Sequence, residues 1–579
     1  MGNAQLARLF QELTDLMKLE EGSPQAFRVR AYERAVGAVR DSPIPVSDMT
    51  DKELQALDGV GKSTASKIRE LIETGSMAKL EALREKFPAD LVELTRIPGL
   101  GPKTVLLLRE RLDVNNVEEL KAAIAEEKLR ELPGVGARSE EKIAKAIDRM
   151  GLHGKDRRTP IEQVIGVAND VVAALAELPE VVDIKPCGSL RRFRDTIGDV
   201  DIVVASNNPE PVMDAFVALP SVTNVIGHGP TKSSVLTAAG LQIDLRVVEP
   251  QQFGAAVLYF TGSKQHNIEL RQRALTKGMT LNEYALAEAE TEDVVAAENE
   301  SDVYAALDMA WVPPEIREGV GEVALALEES LPDLVELKHV RGDLHVHSSW
   351  SGDGRSSLED MVAAADSGGL SYVAITDHAE DLAINGLSPE EVLQEREAIE
   401  ELRTRHPKLT ILHGSELNIG PEGSVDYDPD FLETFDWCVA SVHSHFDLSA
   451  EDQTRRVMTA MHNPHVNVIG HLTGRKLGKR PGIELDYSAI FDTAAETGTA
   501  LEINSHLARL DVPADVLRLA RERTDITYVI STDSHHVNEY ENLRWGVANA
   551  RRGWVPRKQI ANTWTAKRFL SWVERSRAG

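Results

Sequence analysis

The alternation of hydrophobic and polar positions changes character along the 579 residues. From about Ile161 to Val248, "VVDIKPCGSL", "VDIVVAS" and "LQIDLRVV" are β-branched or alternating. The helical stretch "PVMDAFVALP" separates them, which predicts an α+β sheet domain. A helical, polar region follows to about Leu337, with "WVPPEIREG" marking a boundary near its end. Beyond Arg341, the runs "LHVH", "YVAITDH", "LTILHGSE", "WCVASVH", "VNVIGH", "ALEIN" and "TYVISTDSH" alternate with helical stretches. That alternation predicts βα units in a parallel sheet or barrel. Nearly every run ends in His, Asp or Glu, and the C-terminal strand ends are where a (β/α) barrel presents its chemistry.

Ahead of these regions one pattern occurs three times: "LDGVGKSTASKI" from Leu57, "IPGLGPKTVLLL" from Ile97 and "LPGVGARSEEKI" from Leu132. Each is an apolar residue, a turn, a Gly-apolar-Gly and a helix start, with glycines Gly59 and Gly61, Gly99 and Gly101, Gly134 and Gly136. Glycine allows a tight turn and close approach, and the free N–H groups of the following helix face outward toward an anion. Three copies with matched flanks resemble helix-hairpin-helix motifs, which grip DNA phosphates without reading sequence.

Composition constrains the partners and the metals. The chain is 42% hydrophobic and exceeds a single core, without an apolar run of membrane-spanning length. The N-terminal "MGNAQLARLFQELTDLMKLEEG" is charged and amphipathic, without a signal core, so a cytoplasmic protein with no membrane partner is expected. Two cysteines, Cys187 and Cys438, are too few for a disulfide framework or a cysteine-based zinc site, so any metal is held by nitrogen and oxygen. The formal charge of −29 argues globally against a polyanionic partner. Backbone N–H groups and helix N-termini can still hold phosphates locally.

The stretch "RGDLHVHSSWSGDGR" puts His345 and His347 on one strand face, with Asp353 six residues on. Collecting the other strand ends adds His378, Glu416, His443, His471, Asp533 and His535. Nine such donors suffice for more than one zinc, manganese or iron ion, and clustered ions that activate water and clamp a phosphate suit phosphoester hydrolysis. "DLHVHSSWSGDG", "AITDHA", "HGSE", "SVHSH", "GH" and "STDSH" resemble, in order, the motifs of the PHP (polymerase and histidinol phosphatase) domain. The resemblance implies a distorted (β/α)7 barrel over 341–579, holding two or three Zn²⁺ or Mn²⁺ ions. Asp353 stands where some members have His, and an oxygen donor there favours manganese. His413, His445, His465, His506 and His536 are left to orienting or surface roles.

In the sheet domain Asp199 and Asp201 are two apart, expected on one strand face, and a second strand supplies Asp244. Three carboxylates suit two Mg²⁺ or Mn²⁺ ions in nucleotidyl transfer. Upstream, Gly188, Ser189, Arg191 and Arg192 form a Gly-Ser turn with basic side chains suited to a triphosphate. The set resembles the palm of family X DNA polymerases, and "AVLYFTGSKQHNIELRQRALTKGMTLNEYAL" resembles that family's nucleotide-binding subdomain. The resemblance implies that Tyr259, Phe260 and Gly262 line the sugar pocket, and that Asn267 and Arg271 meet the base or the minor groove. Ser189 and Arg192, with Arg158 of "RRTP", would hold the phosphates. Two departures are Gln242, where an arginine accompanies the third aspartate, and Lys264, where an acidic residue lies near the base and a lysine would strengthen nucleotide binding. "FRVRAYERAV" and the segment after Val60 resemble the family's small lyase domain. Lys67 falls at the Schiff-base position, Tyr32 at a 5′-phosphate pocket, and Arg28 and Arg30 are the cations that would lower the lysine's pKa.

The expected organisation is a lyase-like helix-hairpin-helix domain over 1–82, a second one over 83–150, a palm over 151–252, a nucleotide-binding subdomain over 253–318, a linker over 319–340 and the PHP domain over 341–579. The expected activity is gap-filling DNA synthesis by a monomer on gapped or primer-template DNA with dNTPs, joined to 3′-5′ exonuclease and abasic-site endonuclease activity. Two other readings stay open: a nuclease or 3′-end phosphatase whose palm only positions DNA, and a scaffold with both metal sites silent.

Overall fold

The computed structural model describes residues 3–21, 27–40, 46–57, 60–74, 76–87, 91, 94–95, 97, 100–150, 158–237, 240–382 and 384–578. The chain divides into two compact units, Met1–Gly154 and Lys155–Gly579.

The first unit is helical, and its apolar positions, among them Phe10, Ile68, Leu80, Val105 and Leu120, meet in one core. The repeated sequence forms a repeated structure. The Val60, Leu100 and Val135 N–H groups donate to Leu57, Ile97 and Leu132 carbonyls at 3.0, 2.9 and 3.0 Å. The helices Lys62–Thr74, Pro102–Leu112 and Ala137–Met150 start just beyond.

The second unit opens with a two-residue ribbon, β1 (Thr159–Pro160), which pairs antiparallel with β3 (Thr196–Ile197). The palm sheet comprises β2 (Asp183–Pro186), β4 (Val200–Ala205), β5 (Val222–His228), β6 (Lys232–Thr237) and β7 (Gln242–Val248), in the order β2-β4-β7-β6-β5. Only β4 and β7 run parallel. The helices Ile161–Ala176 and Pro209–Val217 share the sheet's core. The region that reads as helical after Val248 also contains a three-stranded antiparallel sheet of β8 (Met279–Leu281), β9 (Leu286–Glu288) and β10 (Val294–Ala296). Three-residue strands are too short to show a two-residue period in the sequence.

Seven parallel strands in chain order form the C-terminal region: β11 (Gly342–Val346), β12 (Tyr372–Ile375), β13 (Thr410–Asn418), β14 (Trp437–Ser441), β15 (Val468–Gly470), β16 (Ala500–Asn504) and β17 (Tyr528–Ser531). Nearly every strand residue is buried, which explains the continuous apolar runs. Beyond β17 the chain returns to β11: Asp533 N–H donates to the His345 carbonyl at 2.9 Å, and His347 N–H to the Ser534 carbonyl at 2.8 Å. The sheet is thereby a nearly closed barrel, joined at the end where its chemistry lies. Palm and barrel pack together through Phe193 stacked on Trp545 at 5.7 Å and through Asp195, which accepts from Arg475 at 2.8 Å and Arg552 at 3.2 Å.

Candidate active sites

In the palm, the parallel register sets Asp201 directly opposite Asp244, so both side chains share a sheet face. Asp199 lies one residue ahead of β4, not on that strand as its spacing suggested, yet it reaches the same cleft. Gly188 has φ +60°, and a Cβ there would sit 2.5 Å from Oδ2 of Asp201. Both its backbone conformation and this close approach therefore demand glycine. Burial, then Asp199, then Asp244 push the Asp201 carboxyl up to about 7, so a divalent cation would relieve a repulsion already built in. Gln242 is compatible with its place beside the third aspartate: its Nε2 donates to Oδ1 of Asp244 at 2.7 Å. Lys232 Nζ lies 3.4 Å from the other oxygen.

A cleft of about 390 Å³ is lined by Asp199 and Asp201 with Arg158, Gly188, Ser189, Arg192, Tyr259, Phe260, Gly262, Lys264, Asn267 and Arg271. Every candidate nucleotide contact thus faces one cavity. Arg158 is held by the Thr196 hydroxyl at 2.8 Å, and Asn267 by the Tyr259 carbonyl at 2.7 Å. Arg192 donates to the Thr261 carbonyl and pairs with Glu318 at 3.2 Å. Arg191 is a correction. It does not serve a phosphate but pairs with Glu300 at 2.6 Å and donates to the Thr261 hydroxyl at 2.7 Å. Glu300 also binds the fully buried Arg317 at 2.6 Å, whose carbonyl accepts from Ser263 N–H. Burial opposes ionisation of Glu300, but Arg317 and Arg191 outweigh it and hold the carboxyl down at about 2. Glu300, Arg317 and Lys232 gave no sequence signal, because their partners lie far along the chain.

In the barrel all nine candidate donors converge. Glu416 is central: its oxygens lie 2.9 Å from His378 Nδ1, 2.9 Å from His471 Nε2, 3.2 Å from His443 Nε2, 3.4 Å from His345 Nε2 and 3.5 Å from His347 Nε2. Asp533 Oδ1 lies 3.4 Å from His347 Nε2, and Asp353 Oδ2 lies 3.4 and 3.5 Å from His378 and His535. Three groups present ligand atoms within 4.8 Å of one another: His347, His378 and His535; His345, His347 and Asp533; His378, Glu416 and His443. Both His347 nitrogens, His345 Nε2, His378 Nδ1, His471 Nδ1 and Glu416 Oε2 are buried without a hydrogen-bond partner. Buried polar atoms rarely stay unpaired, and nitrogen and oxygen donors left free in this number fit bound cations. His471 and Asp533 have positive φ, at 23° and 56°, which is backbone strain of the kind stored at functional sites.

Electrostatics follow from this crowding. Burial would raise Glu416, but His443 and His345 outweigh it and hold the carboxyl well below its ordinary range. His378 is pushed up to about 10 because Asp353 and Glu416 overcome its burial, whereas burial, His535 and His378 push His347 down to about 4. A further layer orients the donors. Glu502 accepts from His345 Nδ1 at 2.7 Å and from His471 N–H at 2.6 Å, and Asn418 Oδ1 lies 2.8 Å from His443 Nδ1. Glu502 lies inside the run "ALEIN", two residues before its end at Asn504, and was not among the candidates. His413 is buried elsewhere, against Glu395 and Arg396.

In the first unit, Lys67 Nζ lies 5.9 Å from the Tyr32 ring centroid and 3.1 Å from the Ser63 hydroxyl. Gly59, Gly99 and the side chains of Arg28 and Arg30 lie outside the described residues. A Cβ at Gly61, Gly101, Gly134 or Gly136 would meet nothing within 4 Å. Internal packing therefore does not require glycine there, and the turns are open to a partner's close approach.

Four segments match known families: a helix-hairpin-helix domain over residues 1–77, a SAM-like helix-hairpin-helix tandem over 91–149, the DNA polymerase beta thumb over 256–318 and the PHP domain over 343–506. Over its whole length, and the whole length of the relative, the chain is 36% identical to the DNA polymerase/3′-5′ exonuclease PolX of Bacillus subtilis. It is 27% identical to DNA polymerase lambda of Rattus norvegicus across 53% of this chain and 55% of the relative. It is 34% identical to a probable phosphatase of Syntrophotalea carbinolica across 28% of this chain and 65% of the relative.

Proposed function

Because the chain belongs to the PolX family, the family X DNA polymerases that carry a PHP domain, we propose a division of labour between its two sites, with the palm cleft extending primer ends in short gaps and the barrel cluster trimming 3′ ends. The protein is a DNA-directed DNA polymerase with a metal-dependent 3′-5′ exonuclease, and its substrates are DNA and dNTPs. The observation that carries the assignment is the convergence of every candidate nucleotide contact on one cleft beside Asp199 and Asp201, separate from the nine-donor cluster.

In the palm, Asp199, Asp201 and Asp244 would hold Mg²⁺ or Mn²⁺, which would supply neutralisation of phosphate charge and favour ionisation of the primer hydroxyl. Asp244, with one oxygen bonded to Gln242 and the other facing Lys232, is oriented to accept the hydroxyl proton. Arg158, Gly188, Ser189 and Arg192 receive the triphosphate, and Lys264 adds charge at its edge. Tyr259, Phe260 and Gly262 leave no room for a ribose hydroxyl, while Asn267 and Arg271 face the base. In the barrel the nine donors would hold two or three Zn²⁺ or Mn²⁺ ions, which would supply activation of water for diester cleavage. Abasic-site incision is the same hydrolysis applied to an internal diester. Gly59, Gly61, Gly99, Gly101, Gly134 and Gly136 form DNA-backbone contacts. Lys67 acts as a lyase nucleophile, which borohydride trapping on a 5′-deoxyribose-phosphate end tests.

The deciding assay uses a 5′-labelled primer on a one-nucleotide-gapped duplex with Mn²⁺ or Mg²⁺, with and without dNTPs. Asp199→Ala abolishes extension and keeps shortening, and His345→Ala does the reverse. A wild type that shortens but never extends the primer overturns the polymerase assignment and leaves a nuclease whose palm only positions DNA.

A further inference from the structure

Beside the barrel cluster, the loop after His471 carries "TGRKLGKRP". Its shape is set by contacts that leave two cations free. Lys476 N–H donates to the Arg480 carbonyl at 2.9 Å and Lys479 N–H to the Lys476 carbonyl at 2.9 Å, which closes a tight turn. Arg480 places its guanidinium carbon 3.8 Å from the Phe446 ring centroid and is spent donating to the Gly474 carbonyl. Arg475 is spent likewise, on Asp195 of the palm and the Arg509 carbonyl. Lys476 and Lys479 are exposed, and neither ammonium group has a hydrogen-bond or ion-pair partner among the described residues. In a chain with 93 Asp and Glu against 64 Lys and Arg, two unpaired lysines on one rigid turn are not explained by charge pairing.

Two further observations point to a ligand. Arg509 reaches Asp533 of the cluster at 3.4 Å through Nε, while its Nη1 is buried with no partner. Lys476 lies within electrostatic reach of both Arg509 and Asp533. The loop also touches the palm: a Cβ at Gly478 would sit 2.9 Å from Cγ of Pro160 in β1, two residues from Arg158 in the nucleotide cleft.

Resting on the exonuclease reading, we infer that the 473–481 loop is a phosphate rail for the single DNA strand entering the barrel site. Lys476 and Lys479 bind the phosphates 5′ of the scissile one, and Arg509 Nη1 meets the scissile phosphate. The rail makes the site a strand exonuclease in preference to a phosphatase of small esters. Its attachment to β1 places it beside the cleft from which a primer end departs.

The test compares the double variant Lys476→Ala/Lys479→Ala with wild type on a single-stranded oligonucleotide and on a dinucleotide, which offers only the scissile phosphate. The ratio of oligonucleotide to dinucleotide kcat/KM falls at least tenfold, chiefly through KM. At about −0.7 per contact on a single strand, losing two contacts flattens the slope of log affinity against log salt by about 1.4. In EDTA, with no cleavage, a strand carrying 4-thiothymidine at the third nucleotide from its 3′ end crosslinks to the 473–481 peptide in wild type and loses that crosslink in the variant. An unchanged ratio and salt slope overturns the rail, as does a loss of equal size on both substrates with reduced metal content. A wild type that cleaves neither substrate sinks the exonuclease reading itself, a result distinct from either of those.

Discussion

The palm cleft gathers three carboxylates and no imidazole, whereas the barrel cluster sets three carboxylates among six imidazoles. In the palm, burial and then the facing charges of Asp199 and Asp244 push the Asp201 carboxyl up to about 7. In the barrel, imidazoles hold Glu416 and Asp533 well below the ordinary carboxylate range despite complete burial. The difference reaches the scaffolds. Palm geometry depends on sheet register and on a distant ion-pair pin through Glu300. Barrel geometry is carried by the donors themselves and by the chain segments that close it. A site of like charges calls for a divalent cation, while the basic side chains of Arg158, Arg192 and Lys264 line the same cleft for a phosphate. In the charge-balanced buried site the imidazoles already offset the carboxylates.

The largest expected break in this contrast comes from Glu300→Ala, which strands Arg191 and Arg317 without their carboxylate. The cost is about 3–5 kcal/mol, read as an earlier first unfolding transition together with a raised KM for dNTP. The barrel counterpart is Glu502→Gln, which removes the anionic partner of His345. Metal affinity and exonuclease rate fall about 10–100-fold while gap filling is retained, measurable by metal titration and the gapped-primer assay.

A pH series separates the two charge regimes further. In EDTA, a native Asp201 that holds its proton up to about pH 7, against an ordinary 3.8, opposes folding progressively as pH rises between those values. The stability of wild type relative to Asp201→Asn therefore falls by about 2 kcal/mol from pH 4 to pH 7, once partial exposure is allowed for. No change in that difference would mean that neither burial nor the facing carboxylates raise the Asp201 carboxyl. Gln242→Leu is the mildest probe, lowering kcat for extension by about tenfold, since one hydrogen bond to a charged group is lost while Lys232 still faces the other oxygen.

The legibility of the two sites differed for a physical reason. In the barrel the donors lie at or near the C-terminal ends of buried strands, so apolar runs ending in His, Asp or Glu exposed eight of the nine without any knowledge of contacts, and Asp353 came with its neighbours. Glu502 sits inside its run, which ends in Asn504, and so escaped that signal. In the palm, the spacing of Asp199 and Asp201 suggested a shared strand face, but Asp199 precedes the strand. Arg191 and Arg192 are adjacent and chemically alike, yet one points to Glu300 and the other lines the cleft.

The amino-acid sequence by itself determined most segment types, though not the short strands β8, β9 and β10, together with the order of regions, the threefold Gly-apolar-Gly turn and the identity of the candidate donors, because these depend on local periodicity and side-chain chemistry. Only the tertiary structure decided that Asp201 faces Asp244, that Glu416 is the centre of the cluster, that Glu502 orients two of its histidines and that Arg191 is a pin. Each of those is a contact between residues far apart in the chain, set by strand register, barrel closure and the packing of palm on barrel, which no local pattern encodes.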